Sequence, residues 1–421
     1  MRCTVFAVLL SALVAPTARA QTIALTGAKV YPVSQPPIEN ATVVIVSGKI
    51  TAVGATVAIP AGAERIDVSG KWITPGLIDP VTVLGVVEVG AVPESNDARA
   101  KGEKSVAAAF RVWDGLNPAS RLWAPTRNEG VTTVGIVPTG GLISGQAAVV
   151  DLVDGTRTQM LRRKPAAVYA QLQGGATPET SARGEVLQRL RELLQDAKTY
   201  AAKREAYESA RTRTFATTRP NLDALVSVVR GQVPLMLAVD RAADIDAALD
   251  LAREFALKLV LVSAEEGWKV ADRIASSKVP VIVGALNNIP GNFATLASRQ
   301  ENAALLRRAG AQVALSAGGE SFNVRNLKQH AGNAVAYGLP WDEALRAVTL
   351  TPAEILGVSA GVGTLQAGKD ANLVVWDGDP FEFGTRAVRV LVHGREIAQP
   401  SRQDLLMERY KSAPPVYIRQ P

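Results

Sequence analysis

The sequence is poor in the side chains that most often bind metals or act as nucleophiles. Of its 421 residues, one is cysteine and two are histidine. Cys3 lies within the first 20 residues, so the rest of the chain can contain neither a disulfide nor a thiol catalyst. His330 and His393 are far apart in the sequence, and neither an HExxH nor an HxH pattern occurs. A protein built around a cysteine-rich or histidine-rich site is therefore excluded.

Long apolar runs and concentrated basic tracts are also missing. After the first 20 residues there is no apolar run of about 20 residues, so we expect no membrane span. The formal net charge is +7, but the basic residues are dispersed and aromatic residues make up only 5% of the chain. A nucleic-acid-binding surface usually needs a basic stripe on one face. We therefore expect no nucleic-acid partner.

The first 20 residues have the pattern of a secretory signal peptide. Arg2 supplies the positive start, Val5 to Val14 the apolar core, and Ala18 and Ala20 the small residues of a cleavage site. We expect removal of residues 1–20 and a periplasmic or secreted mature protein.

The two ends of the mature chain share one sequence pattern. Residues 22–73 alternate in short apolar strands with glycine turns between them, which is typical of antiparallel β structure. Residues 372–376 and 387–394 repeat this pattern near the C-terminus. The sequence therefore predicts one small β-sandwich built from both chain ends, over 21–74 and 358–400, followed by a C-terminal tail at 401–421.

The middle of the chain, residues 75–357, alternates strands with helices. Strands are predicted at 233–239, 259–262, 279–283 and 313–315, and helices at 242–255, 267–276 and 303–309. A long charged helix is predicted over 182–212. This spacing is typical of parallel βα units, and an α/β fold with a (β/α)8 TIM-like barrel fits best. An open doubly wound sheet is the alternative, but no GxGxxG follows the first strand.

Two features that could suggest chemistry have simpler interpretations. The glycine-rich turn 140–146 (GGLISGQ) lacks the lysine that a phosphate-binding loop requires. His330 lies in a predicted helix and His393 at the end of a predicted strand, which favours structural or surface roles. A Ser-His-Asp hydrolase is disfavoured because no G-x-S-x-G elbow is present.

Several longer motifs occur in a fixed order along the chain. They are GAKVY (27–31), GKITAVG (48–54), GKWITPGLID (70–79), GLPWDEAL (338–345), TLTPA (349–353), GTL (363–365) and GKDANLVVWDGDP (368–380). Together they resemble the amidohydrolase superfamily, specifically an imidazolonepropionase-like branch of exported proteins. The resemblance implies a metal-dependent (β/α)8 barrel beside a small β-sandwich, and hydrolysis of C–N bonds by a Zn²⁺-activated water or a similar ion.

The resemblance also assigns positions to the metal ligands, and this chain departs from the pattern at all of them. The HxH pair after Asp79 falls on Val81 and Val83. The later histidines fall on Ala238 and Ser263, and the strand-eight aspartate falls on Gly318. Valine has no lone pair, so we predict no bound metal, no cofactor and no catalytic residue of the family's kind.

Three carboxylates remain near the predicted strand ends. Asp240, Glu265 and Glu266 follow predicted strands, where barrel sites are built. They could hold a hard cation or act as an acid and base pair. The simpler interpretation is that Asp240 and Glu265 cap the helices that follow them.

Two functional hypotheses follow. The first is a pseudoenzyme that binds a small amide- or peptide-like molecule, or that partners a copy of itself or a relative with intact metal ligands. The second is an active C–N hydrolase with a rebuilt, carboxylate-based site. The predicted ligand-binding residues are Val81, Val83, Ala238, Asp240, Ser263, Glu265 and Gly318.

Overall fold

Two eight-stranded sheets organise the protein. The computed structural model describes residues 22–100, 102–172, 182–286, 289–318, 320–397, 400 and 402–411. The predicted signal peptide and residues 412–421 of the predicted tail lie outside the described residues. No helix in these ranges combines the length and apolar character that a membrane crossing requires.

The strands are short and follow one another closely at the N-terminal end. They are β1 (Thr22–Val30), β2 (Ile38–Val46), β3 (Lys49–Gly54), β4 (Glu64–Asp67), β5 (Trp72–Pro75), β6 (Leu77–Thr82), β7 (Val131–Ile136), β8 (Ile143–Asp151), β9 (Leu161–Gln171), β10 (Leu235–Val239), β11 (Leu259–Ser263), β12 (Val281–Val283), β13 (Val313–Leu315), β14 (Leu373–Trp376), β15 (Ala387–Val392) and β16 (Arg395–Glu396).

The helices lie mainly between the later strands. They are α1 (Trp123–Asn128), α2 (Arg157–Met160), α3 (Arg183–Ala202), α4 (Arg204–Glu208), α5 (Arg219–Val229), α6 (Ala242–Phe255), α7 (Ala271–Ser276), α8 (Asn302–Arg308), α9 (Leu327–Ala336), α10 (Trp341–Ala347), α11 (Leu350–Ile355) and α12 (Arg402–Lys411). The long charged helix predicted over 182–212 is divided between α3 and α4, because the backbone leaves the helical region at Lys203.

The first sheet joins the two ends of the chain. Its strand order is β16-β15-β14-β5-β1-β2-β3, with β4 paired to β1. The link between the two ends is the antiparallel pairing of β14 with β5, in which Trp376 lies opposite Trp72. The expected sharing of strands between 22–75 and 373–396 is therefore present, while a sandwich arrangement stays a prediction.

The second sheet forms the barrel, in the order β13-β12-β11-β10-β9-β8-β7-β6. Seven of these strands run parallel, but β8 is antiparallel to both β7 and β9. The predicted α/β TIM-like barrel is confirmed, but β8 departs from the (β/α)8 repeat. A parallel crossover needs about a dozen residues or more, and the short connections on either side of β8 allow only reversals.

Asp79 fastens the two edges of this sheet together. It lies on β6 and is fully buried, and its carboxylate accepts hydrogen bonds from Ser316 Oγ at 2.6 Å and from the Ala317 N–H at 2.9 Å, both just after β13. These bonds join the first and last barrel strands, so the sheet closes. Apolar side chains such as Ile78, Met236 and Ile282 pack together inside the barrel.

A partly buried charge network, the junction network, connects the barrel to the first sheet. It consists of Asp151, Arg162, Asp370, His393 and Lys49. Arg162 bonds to Asp151 at 2.7 Å and to Asp370 at 2.8 Å, and Lys49 lies 2.8 Å from Asp370. His393 Nε2 lies 2.8 Å from Asp151. Burial alone would raise the pKa of Asp151, but His393 and Arg162 hold it below its ordinary value.

Candidate functional site

A cavity opens at the carboxyl ends of the barrel strands. Its volume is about 620 Å³, which lies within the range of small-molecule sites. Side chains from or just after all seven parallel strands line it, and helix α9 contributes His330. In barrels of this type the strand ends are where binding and catalytic residues lie.

Six of the seven predicted binding residues line this cavity. They are Val81, Val83, Ala238, Ser263, Glu265 and Gly318. Asp240, the seventh, lies just outside the lining and is 7% exposed. The structure thus brings together positions that are up to 237 residues apart in the sequence, because each lies at or just after the carboxyl end of a strand of the same closed sheet.

Glu265 is the acidic side chain of the cavity wall. Burial, together with the neighbouring carboxylate of Asp240, raises its pKa to about 7. Its Oε2 is buried and accepts no hydrogen bond from a described residue. Tyr169, which also lines the cavity, has a raised pKa because it is buried and close to Asp240. Glu265 and Tyr169 therefore both line the cavity, and each lies close to Asp240.

Neither Asp240 nor Glu265 occupies the N-cap position of the element that follows it, and Glu266 accepts a backbone hydrogen bond at the start of α6. The N-cap position of α6 is Arg241, without a side-chain cap, and the N–H of Ala242 donates to Glu266 Oε2 at 3.2 Å. Glu266 Oε1 accepts the N–H of Ala297 at 3.0 Å. Although burial opposes it, these bonds lower the pKa of Glu266. Of the two adjacent glutamates, Glu266 is structural and Glu265 faces the cavity.

The backbone between β11 and Glu265 is strained. Ser263 and Ala264 adopt left-handed conformations, with φ of 73° and 45°. A non-glycine residue in this region costs about 1–3 kcal/mol, and such strain is concentrated at functional sites. The conformation lets Ser263 and Glu265 both line the cavity while Ala264 is buried between them.

Asp79 lies at the base of the cavity but does not line it. Burial raises its pKa to about 6, against the effect of the hydrogen bonds from Ser316, Ala317 and Val81. Because its oxygens are engaged by β6 and β13, Asp79 supports the cavity from beneath. Its position at the end of a buried apolar run reflects barrel closure.

Several cavity residues were not predicted as binding residues. Arg99 and Gln171 line the wall on either side of Tyr169 and the glycine-rich turn. His330 also lines the cavity, where the Ala285 N–H donates to its Nδ1 at 3.2 Å and burial lowers its pKa to about 4. A buried neutral histidine agrees with the structural role expected for it. No local motif marks Arg99, which reaches the cavity through a long excursion of the chain after β6.

The cavity does not fit the metal that the resemblance implies. The positions assigned to the family's ligands do face the cavity, but their side chains are Val81, Val83, Ala238, Ser263 and the bare Gly318. A catalytic zinc site needs about three nitrogen, sulfur or carboxylate ligands. Among the described residues, no group of three or more His, Cys, Asp or Glu side chains is placed to hold an ion.

Comparisons with known proteins agree with the architecture. A model described as the amidohydrolase family matches residues 257–403. The chain is 26% identical over 367 residues to the imidazolonepropionase of Acidiphilium cryptum, covering 82% of this chain and 89% of that protein. It is 22% identical over 366 residues to the amidohydrolase tasK of Hapsidospora irregularis, covering 80% of this chain but only 37% of tasK.

A solved structure extends the likeness to the whole fold. The amidohydrolase from Thermotoga maritima MSB8 superposes with a TM-score of 0.82 at 27% identity, covering 90% of this chain and 100% of that one. A prolidase, solved with n-methylphosphonate-l-proline, is a more distant neighbour, with a TM-score of 0.57 at 16% identity and the same coverage. The family-model match, the imidazolonepropionase relatives and the likeness of the whole fold together support the amidohydrolase superfamily as the family of this chain, with similarity to imidazolonepropionases.

Proposed function

We propose that this chain is an exported amidohydrolase-superfamily protein that binds a small amide- or peptide-like molecule and lacks the metal-dependent hydrolysis of its family. One observation carries the proposal. The strand-end positions that hold metal ligands in the family line a well-formed cavity here, yet carry Val81, Val83, Ala238, Ser263 and Gly318. A barrel tolerates such changes, because its stability does not depend on the residues at its carboxyl face.

The cavity retains features of a binding site. Apolar side chains alternate with a few convergent polar groups, among them Tyr169, Gln171 and Glu265. An amide offers both a donor and an acceptor to such groups, and its flanking carbon atoms match the valines on the wall. These features favour a bound organic molecule.

A second candidate is a hydrolase with a carboxylate-based site. Glu265 favours it, because a carboxyl group whose pKa lies about 7 can accept or donate a proton near neutral pH. Asp240, the adjacent carboxylate, would then keep the proton on Glu265 at the start of a reaction. This candidate requires turnover without an added metal.

Hydrolysis assays separate the two candidates. Wild type, Asp240→Ala and Glu265→Ala are incubated with N-acyl amino acids, dipeptides and lactams, and binding is measured on the same samples. The proposal predicts no turnover above background and weaker binding in both variants. Turnover in the wild type that disappears in a folded variant would replace the binding protein with the carboxylate-based hydrolase.

We also propose a location, a domain arrangement and possible partners for this protein. Residues 1–20 would direct the chain to the periplasm or outside the cell, and strands from both chain ends would form the small β-sandwich of the family. The emptied metal positions are compatible with a homo-oligomer, or with a complex in which a relative with intact metal ligands supplies catalysis. Size-exclusion chromatography with light scattering tests the first of these partners.

A further inference from the structure

Two side chains that carry opposite charges when ionised line the cavity, and neither has an ion-pair partner within the described part of the chain. Arg99 and Glu265 both line the cavity, and neither forms an ion pair with another described residue. Arg99 is exposed at the cavity, whereas Glu265 is only partly exposed. Unmatched charges in a cavity wall are typical of groups that await a charged ligand.

The order of the strands places these charges on opposite sides. Arg99 lies beside Thr139, directly after β7, because the two residues pair as a parallel bridge. Glu265 follows β11. In the closed ring of eight strands, β7 and β11 are four strands apart in either direction, which is the largest separation possible.

The surroundings of each charge reinforce this polarity. The Arg99 side chain lies over Gly140, whose lack of a side chain leaves room for the guanidinium stem. Glu265 lies close to a second carboxylate, Asp240, so that wall favours positive charge. His330 also lines the cavity, where burial lowers its pKa to about 4 and so leaves it neutral near pH 7.

We infer that the cavity binds a zwitterion of dipeptide size, with its carboxylate at Arg99 and its ammonium group at Glu265. This inference rests on the proposed function and specifies its ligand. Because Arg99 and Glu265 lie beside opposite strands of the closed barrel, a ligand that contacts both must span the cavity. The end groups of an extended dipeptide are about 7 Å apart, further than those of a single amino acid.

A set of four ligands tests the inference on the full-length protein. The ligands are Ala-Leu with both ends free, its N-acetyl form, its C-terminal amide, and the form with both ends blocked. Titration calorimetry at pH 7 gives the Kd of each, and chromatography confirms that each stays intact. We expect free Ala-Leu to bind about tenfold more tightly than either singly blocked form, because each loses one charge-assisted contact.

Variants then assign each end of the ligand to its wall. Arg99→Gln should abolish the preference for a free carboxylate and keep the preference for a free amine, and Glu265→Gln should do the reverse. Arg99→Lys and Glu265→Asp should restore part of the discrimination. Matched controls are Arg65→Gln and Glu64→Gln on β4, both exposed and in the other sheet, which should leave every Kd unchanged.

The outcomes separate the inference from the function on which it rests. Equal affinity for all four ligands would overturn the zwitterion and leave the binding function in place. Unchanged discrimination in folded Arg99→Gln and Glu265→Gln would do the same. Failure of all four ligands to bind the folded wild type would overturn both.

Discussion

The junction network and the cavity wall differ in how their charged side chains are paired. In the junction network, Asp151 and Asp370 are each in contact with at least one cation at 2.7–2.8 Å. In the cavity, Glu265 lies beside another carboxylate, and Arg99 lies on the far side without an ion pair to a described residue. The junction has the balance that buried charges need for stability. The cavity has the imbalance that is typical of binding sites.

The contrast separates the part of the chain that stabilises the fold from the part that forms the cavity. Charge matching at the junction links the two sheets, whereas the barrel face carries Val81, Val83 and Ala238 at positions that the family resemblance assigns to metal ligands. Stability and function are thus carried by different ends of the same strands. The effects of substitutions on stability should therefore differ in size and in sign between the two regions.

The largest effect is expected at the junction. Arg162→Ala would leave Asp151 buried with only His393 and Thr133 as side-chain partners. Removing one partner of a buried ion pair typically lowers the free energy of unfolding by about 3–5 kcal/mol. Urea unfolding followed by tryptophan fluorescence measures the loss. Arg389→Ala, which breaks the exposed pair with Glu396, is the control and should cost less than about 1 kcal/mol. Equal losses in the two variants would contradict the contrast.

Asp79 should give a pH-dependent effect of about 3 kcal/mol. Its pKa is raised from 3.8 to about 6 by burial, so the folded state holds the proton more tightly than the unfolded state. Its contribution to stability is full below pH 3.8 and is lost as the pH rises to about 6. Asp79→Asn removes this dependence. The free energy of unfolding of the variant, relative to that of wild type, should therefore be higher at pH 7 than at pH 4. A constant difference in this free energy across that range would refute the buried carboxyl that is protonated at low pH.

The adjacent glutamates should respond in opposite directions by about 1–2 kcal/mol. The pKa of Glu265 is raised from 4.5 to about 7, so its ionised form lowers stability above pH 7. Glu265→Gln should therefore raise the melting temperature at pH 8 and have less effect at pH 5. Glu266→Gln is the matched control and should lower it, since Glu266 accepts two backbone hydrogen bonds. Destabilisation by both substitutions at pH 8 would mean that Glu265 is also structural.

The sequence predicted the periodic parts of the fold well. Helix α6 begins and ends at the predicted residues, because its apolar spacing is regular and a strand precedes it. The sharing of one sheet by both chain ends followed from their common alternation. The antiparallel β8 was not predicted, since its apolar run differs little from that of a parallel strand and only the short connections reveal the reversal.

The candidate site was predicted only in part. Positions such as Val81 and Ala238 could be placed because each lies near the carboxyl end of a strand, and strand ends converge in a barrel. Arg99 could not, because it enters from a long irregular segment whose path depends on tertiary contacts. The different roles of Glu265 and Glu266 depend on two left-handed residues, Ser263 and Ala264, which the sequence does not mark with glycine.

Metal analysis of the full-length protein, purified without chelator, tests the central claim most directly. The account predicts well under one Zn²⁺, Fe or Mn²⁺ per chain, since the cavity wall carries no set of three ligands. A variant with Val81→His, Val83→His and Ala238→His is the positive control, and it should retain added Zn²⁺ through dialysis. One tightly held ion per wild-type chain, lost on substitution of Glu265 or Asp240, would show that the barrel has kept a metal centre and would contradict the account.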